Sequence, residues 1–244
     1  MQYDPILLNY QPNREATEMS NYLEKNAQYW SGVYDAPNVE NFIFRFYGRI
    51  LKFDYGIDGS NHERLLDFGC GQGGALHYFD KLGFNCFGVD IAENDIAAAR
   101  RIMPHIADQL IVIDKKPDEH NIFFGGGFDI VISIQTLDFL SNTDFDKAIR
   151  SIYNSMKSGA KIYASMNGWT NYYRNHGTEA GDGLWHIKLK TSRLDYDLFL
   201  NFVKDKEEMK KKFSLFKPIY LDHYDSSFRE EGSEFRYTFF GIKE

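Results

Sequence analysis

Residues 65–79 read LLDFGCGQGGALHYF. An apolar pair runs into an acid, then into Gly69, Gly71, Gly73 and Gly74, then into a stretch of helical periodicity. Glycine lets the backbone adopt φ > 0 and approach a ligand closely, at a large entropic cost on folding. So many in one turn point to a tight turn or a bound ligand. Gly69, Gly71 and Gly74 fit G-x-G-x-x-G, the nucleotide-loop spacing at a helix N-terminus.

Outward from this loop, short apolar runs alternate with helical patterns. RLLDFG (64–69), NCFGVDI (85–91), QLIVID (109–114), FDIVISIQ (128–135) and AKIYASM (160–166) read as five strands. GALHYFDKLG (74–83), ENDIAAARRIM (93–103) and TDFDKAIRSIYNSMKSG (143–159) read as the helices between them, with Gly83 and Gly159 as stops. Strand–helix alternation predicts a doubly wound α/β domain on a parallel sheet. Before it, REATEMSNYLEKNAQYW and NVENFIFRFYGRILKF predict a helical N-terminal extension over 1–60. After Ser165 the alternation stops. Residues 167–195 are polar and aromatic with no clean period, a helix follows at DKEEMKKKF, and KPIYLDHY and RYTFFGIK predict a closing antiparallel pair at the sheet edge.

The bulk properties narrow the class. The chain has 244 residues, 43% of them hydrophobic, within the range of one large domain. Its 21 Phe and 16 Tyr supply a core of large rings or an aromatic pocket. A net charge of −7 argues against a nucleic-acid partner. The basic run Lys210–Lys212 is interleaved with acids and reads as a solvated helix face. Cys70 and Cys86 suggest neither a metal site nor a disulfide framework. No signal peptide and no membrane-spanning stretch is recognisable, so a soluble, cytoplasmic protein is expected.

Two ligands suit the loop. A dinucleotide would place its pyrophosphate on the amides; S-adenosylmethionine would place its amino acid and ribose there. In both, an acid after the second strand binds the ribose, and Asp90 stands about where it should. LLDFGCGQGGALHYFDKLGFNCFGVDIAENDIAAAR resembles motif I and the second strand of class I S-adenosylmethionine-dependent methyltransferases. GGGFDIVISIQTLDFL and MKSGAKIYAS resemble the fourth- and fifth-strand motifs of that family.

The resemblance implies a single Rossmann-like domain over 1–244. Its mostly parallel sheet has seven strands and an antiparallel edge strand; the cofactor-binding core spans 63–165 and an acceptor cap 167–203. It implies S-adenosylmethionine as cofactor, with Gly69, Cys70 and Gly71 against it. Asp67 would orient the loop or meet the amino group, and Asp90 would hold the ribose. Ile91 would pack on adenine, Asp114 and Lys115 lie at the adenine edge, and Gln135 sits beneath the sulfonium. Tyr29 and Trp30 resemble a pair that lids the cofactor, and equally suit ordinary helix packing. The N/D-P-P-Y/F motif of nucleobase and glutamine N-methyltransferases is replaced by QTLD at 135–138, which lowers those substrates.

The acceptor must be held in line with the methyl, and a hydroxyl acceptor usually needs a base. His176 and His186 are the candidates, with His223 also in the region. Trp169, Tyr172, Tyr173, Arg174, Trp185 and Arg193 are the expected substrate-binding residues. Arginines beside histidines suit an anionic or sugar oxygen; an aliphatic amine is the alternative. A dehydrogenase using NAD and a non-catalytic cofactor-binding domain remain as rival classes. No metal is expected.

Overall fold

A computed structural model of the chain describes residues 21–30, 38–191, 194–227 and 232–244. Strand alternation decides its layers, because successive side chains of a strand point to opposite faces. In β1 (Arg64–Phe68), Leu65 and Leu66 join different cores. Ile130 and Val131 divide the same way in β4 (Phe128–Ser133). One face carries α5 (Asn142–Ser155) through Phe145, Ile149 and Ile152, and α6 (Lys206–Lys212) through Met209. The other carries α3 (Gly74–Lys81) and α4 (Glu93–Ile102) through Leu76, Phe79, Ile96 and Ala99.

That second face also takes α2 (Asn41–Arg45) and the π-wound helix Phe46–Asp54 that continues it. Ile43, Phe46 and Leu51 are buried there, and the Phe46 ring stacks on Tyr163 at 4.1 Å. Residues 38–54 are therefore one of the layers that close the sheet. Of the helical extension expected over 1–60, residues 1–20 and 31–37 lie outside the described residues. What remains before α2 is α1 (Tyr22–Trp30).

β2 (Asn85–Asp90), β3 (Leu110–Val112) and β5 (Met156–Gly168) complete the parallel part, in the order β3-β2-β1-β4-β5. β10 (Arg236–Ile242) pairs antiparallel with β5, and β9 (Lys217–Tyr224) pairs antiparallel with β10. The strand running against its neighbours is thus one place in from the edge. Burial explains the order: Phe239 and Phe240 enter opposite cores, as a strand covered on both faces requires, whereas β9 is largely exposed.

Two expectations are corrected. Gly159 does not stop a helix. α5 ends at Ser155, and Gly159, at φ +78°, bends the start of β5. The aperiodic stretch after Ser165 is a meander of β6 (Gly177–Gly181), β7 (Leu184–Lys190) and β8 (Asp195–Val203). It enlarges the sheet beyond seven strands. The end of β5 accepts β8 in parallel where Asn167 and Gly168 pair with Phe202 and Val203. Helix α1 is pinned to β8 by Asn26, which donates to the Phe199 carbonyl at 3.0 Å and accepts from the Phe199 amide at 2.8 Å.

Candidate active site

The order of the sheet reverses between β1 and β4, and such switch points open a crevice at the carboxyl ends of the strands. A cavity of about 760 Å³ lies there, bounded by the loops after β3, β2, β1 and β4. Its size is that of a small-molecule site, roughly 300–1,000 Å³.

The loop after β1 answers the question its glycines raise. Gly69 and Cys70 donate to the Val89 carbonyl at 2.8 and 3.1 Å, strapping the loop to β2. A Cβ on Gly69 would lie 2.2 Å from the Thr136 side chain, and one on Gly74 would lie 2.0 Å from the Asn38 carbonyl oxygen. Those glycines admit protein. Gly71, at φ +50°, faces the cavity, and a Cβ there would meet nothing within 4 Å. Its missing side chain leaves room for a ligand.

Asp67 and Asp90 flank that opening. Asp90 accepts from the Gly71 amide at 2.8 Å and from the Ala92 amide at 2.9 Å, so its carboxylate fixes the loop. Burial raises its pKa, and those two amides oppose the rise. Asp67 is 4% exposed and makes no hydrogen bond to the described residues. Burial, and then the charge of Asp90, push its carboxyl up to about 8. No cation of the described residues pairs with it. Burial also raises the Cys70 thiol well above its ordinary value, so it is no thiolate nucleophile.

Past Asp90, the cavity is lined by Ile91, Ile113, Asp114 and Lys115. Lys115 is held by Glu24 of α1 at 2.5 Å. Helix α1 itself presents Leu23 and Asn26 to the cavity. At the opposite end, after β4, stands Gln135 with φ +54°, a left-handed conformation that costs a non-glycine residue energy. Its amide nitrogen donates to Ser165 Oγ at 2.9 Å, and its Nε2 donates to Glu40 Oε1 at 3.2 Å.

The structure therefore brings Asp67, Gly69, Cys70, Gly71, Asp90, Ile91, Asp114, Lys115 and Gln135 into one cavity. It does not bring the expected lid, base and acceptor residues there. Tyr29 packs edge-on to Tyr196 at 5.2 Å and beside Phe139; Trp30 ends α1, and its side chain lies outside the described residues. Trp169, Tyr172, Tyr173 and Trp185 cover the apolar face of the meander. Arg174 stacks over the Trp169 ring at 4.1 Å and donates to the Trp169 carbonyl at 2.6 Å. His176 lies edge-on to Tyr172 at 4.6 Å. His186 is buried, stacked on Phe199 at 4.4 Å, with Nε2 2.6 Å from Asp197. None of these lines the cavity. The reason is that a three-stranded meander must bury one face, and these rings are what buries it. Arg193 lies outside the described residues.

His186→Gln is accordingly expected to cost stability, about 1–3 kcal/mol for a disrupted buried polar contact, with cofactor affinity unchanged. Chemical denaturation and calorimetry on one preparation check both halves, and weakened binding would count against a packing role.

Sequence reasoning missed Leu23, Asn26, Asn38, Glu40, Thr136 and Phe139, all of which line the cavity. Asn38 and Glu40 carry no local motif, and only the contact with Gly74 places them. Among the described residues, no group of three or more His, Cys, Asp or Glu side chains could hold a metal ion, and no helix is long and apolar enough to cross a membrane.

No curated protein matches the sequence. Among solved structures, an S-adenosylmethionine-dependent methyltransferase from Methanosarcina mazei is similar, with 14% identity over 84% of this chain and 98% of that one, and a TM-score of 0.63. Another, from Clostridium acetobutylicum, is 12% identical over 94% of this chain and 98% of that one, with a TM-score of 0.58. Magnesium protoporphyrin IX methyltransferase from Synechocystis, with bound S-adenosylmethionine, is 13% identical over 97% and 100% of the two chains, with a TM-score of 0.55. At such identities the likeness is one of fold. The family model described as a methyltransferase domain matches residues 36–195, from the segment before α2 to the start of β8. The chain belongs to the class I S-adenosylmethionine-dependent methyltransferases.

Proposed function

We propose that the protein binds S-adenosylmethionine across the ends of β3, β2, β1 and β4 and methylates a small molecule entering at the Gln135–Glu40 end. The observation that carries this reading is the open space at Gly71 between the buried Asp67 and the half-buried Asp90. The residues fit the cofactor. Asp67 has no cationic partner among the described residues, and the cofactor's ammonium would be one. Asp90 spends two acceptor positions on amides, and a carboxylate offers about four, which leaves it able to take the ribose hydroxyls. With the ribose at Asp90, adenine extends toward Ile113 and Asp114, and the sulfur toward Gln135.

When bound, the cofactor supplies a methyl on a sulfonium, which an acceptor lone pair displaces while the C–S electron pair stays with sulfur. The chain's own part is placement and charge. Gly69 and Gly71 set the approach, Asp67 and Asp90 fix the two polar ends, and Gln135 and Glu40 meet the acceptor. In the sequence, Arg174, His176 and His186 suggest an anionic or sugar oxygen. The packing of the meander occupies those groups, and they give an anionic acceptor no support at the cavity.

Asp90→Ala should weaken S-adenosylhomocysteine by at least about tenfold, since charge-assisted hydrogen bonds contribute roughly 1.5–3 kcal/mol each. Calorimetry measures it. An unchanged dissociation constant in a folded variant would remove Asp90 from the site, and tighter binding of NAD than of the adenosine cofactor would turn the reading toward a dehydrogenase.

A further inference from the structure

We infer that the acceptor is an amine, received as its ammonium by Glu40. This rests on the cofactor placement proposed above and names the chemistry of its acceptor end.

Glu40 and Gln135 both line the cavity past the glycine loop, on the side of β4. The Glu40 carboxylate accepts from the neutral Gln135 amide and forms no ion pair with the described residues. A cation is near, but it is committed elsewhere. Arg236 is almost fully buried and donates to Asp138 Oδ2 at 2.7 Å and to Glu234 Oε1 at 3.0 Å. Glu40 and Glu234 are close enough to repel one another. Among the described residues, the carboxyl groups of Glu40, Asp138 and Glu234 thus outnumber the one guanidinium beside them. The buried Tyr224 hydroxyl lies beside Gln135 and Glu40 with no hydrogen bond of ordinary geometry. Its ring stacks on Phe42 at 4.4 Å.

Such a pocket repels a carboxylate or phosphate and attracts an ammonium. An ammonium has no lone pair and must lose a proton before it attacks. Burial, then Glu234, raise the proton affinity of Glu40. Glu40 takes one N–H proton onto its carboxylate, and the electrons of that bond remain on nitrogen as the attacking pair. Asp138 and Glu234 keep Arg236 from neutralising Glu40.

The test uses a matched set of benzylamine, benzyl alcohol and benzoate, titrated by ligand-observed NMR onto protein loaded with S-adenosylhomocysteine. Benzylamine should bind at least fivefold more tightly than the alcohol, with benzoate weakest. Glu40→Gln should bring the amine to the level of the alcohol while S-adenosylhomocysteine affinity changes less than the amine's. Equal binding of the three fragments, preference for benzoate, absence of amine binding, or an amine affinity untouched by Glu40→Gln would overturn the inference. So would a larger loss of S-adenosylhomocysteine than of amine, since Glu40 would then serve the cofactor. Failure of the wild-type protein to bind S-adenosylhomocysteine at all would instead overturn the proposed function.

Discussion

Asp67→Asn is expected to make the cofactor-free protein markedly more stable at pH 8 while weakening S-adenosylmethionine by tenfold or more. Folding buries this carboxyl with no cationic partner among the described residues and raises it to about 8, against roughly 3.9 in an unfolded chain. Between those values the folded state keeps a proton that the unfolded state has lost. Raising the pH therefore favours unfolding, and the stability of the cofactor-free protein falls from about pH 4 to about pH 8, then levels. Four units at about 1.36 kcal/mol each give a penalty on the order of 5 kcal/mol at the top of that window. Asn has the same shape and no charge to desolvate, so the penalty disappears.

Glu40, Asp90, Asp95 and Asp138 are also raised by burial and tilt the profile in the same direction. The difference between wild type and Asp67→Asn isolates the one group. Denaturant unfolding across pH 5–8.5 measures it, and parallel profiles would show that Asp67 is not the group responsible.

The same carboxyl has the opposite effect once a cation arrives. An ammonium beside Asp67 favours its ionised form, so binding at pH 7 expels a proton from wild type. Affinity should climb as pH rises toward 8 and then fall as the cofactor's own α-amino group, with an ordinary pKa of roughly 7.7–8.0, loses its proton. Titration in buffers of different ionisation enthalpy should find more protons released by wild type than by Asp67→Asn, the cofactor's own amino group being common to both. The stability the fold forgoes at Asp67 is thus recovered on binding, which is the pattern of a ligand site rather than of an ordinary core residue.

Much of the fold and of the cavity was legible in the sequence because the residues that make the fold also line the cavity. The loop of Gly69–Gly74, the acid before it and Asp90 after β2 are fixed by local spacing, and local spacing survives folding. The alternation of Leu65 with Leu66, and of Ile130 with Val131, distinguishes both faces of the sheet. The meander has local signals too, though they are short. Asp182 and Gly183 sit at φ +47° and +80°, as the two-residue hairpin turn that favours Asp-Gly requires. Ile187 and Leu189 are buried between exposed Lys188 and Lys190, a period of two. An apolar surface rich in Trp and Tyr looks the same in sequence whether it lines a ligand or covers a sheet, and that misplaced His186 and Arg174. Glu40 is different in kind. Its position depends on Asn38 resting against Gly74, a contact between segments more than thirty residues apart that no periodicity encodes.

Gly71→Asn is expected to separate binding from folding. Asn tolerates the left-handed conformation better than other side chains, and Gly71 has open space where the new atoms would go. The cost to stability should be about 1 kcal/mol, or a melting shift of roughly 2–4 °C for a chain of this size. The same atoms would stand in the cavity where the cofactor must pass, so S-adenosylhomocysteine should bind at least about 100-fold more weakly, a change of roughly 2.7 kcal/mol. Gly74→Ala supplies the contrast. Its Cβ would lie 2.0 Å from the Asn38 carbonyl oxygen, so the segment that leads to Glu40 must shift. Stability and the Glu40–Gln135 contact should then suffer together. If the four glycines served only a tight turn, both variants would lose stability first and affinity only in proportion. If Gly71 is the position through which the loop meets its ligand, calorimetry will find a folded protein that does not bind. A folded Gly71→Asn protein with undiminished affinity would leave the cavity without its cofactor and the proposed placement without its main support.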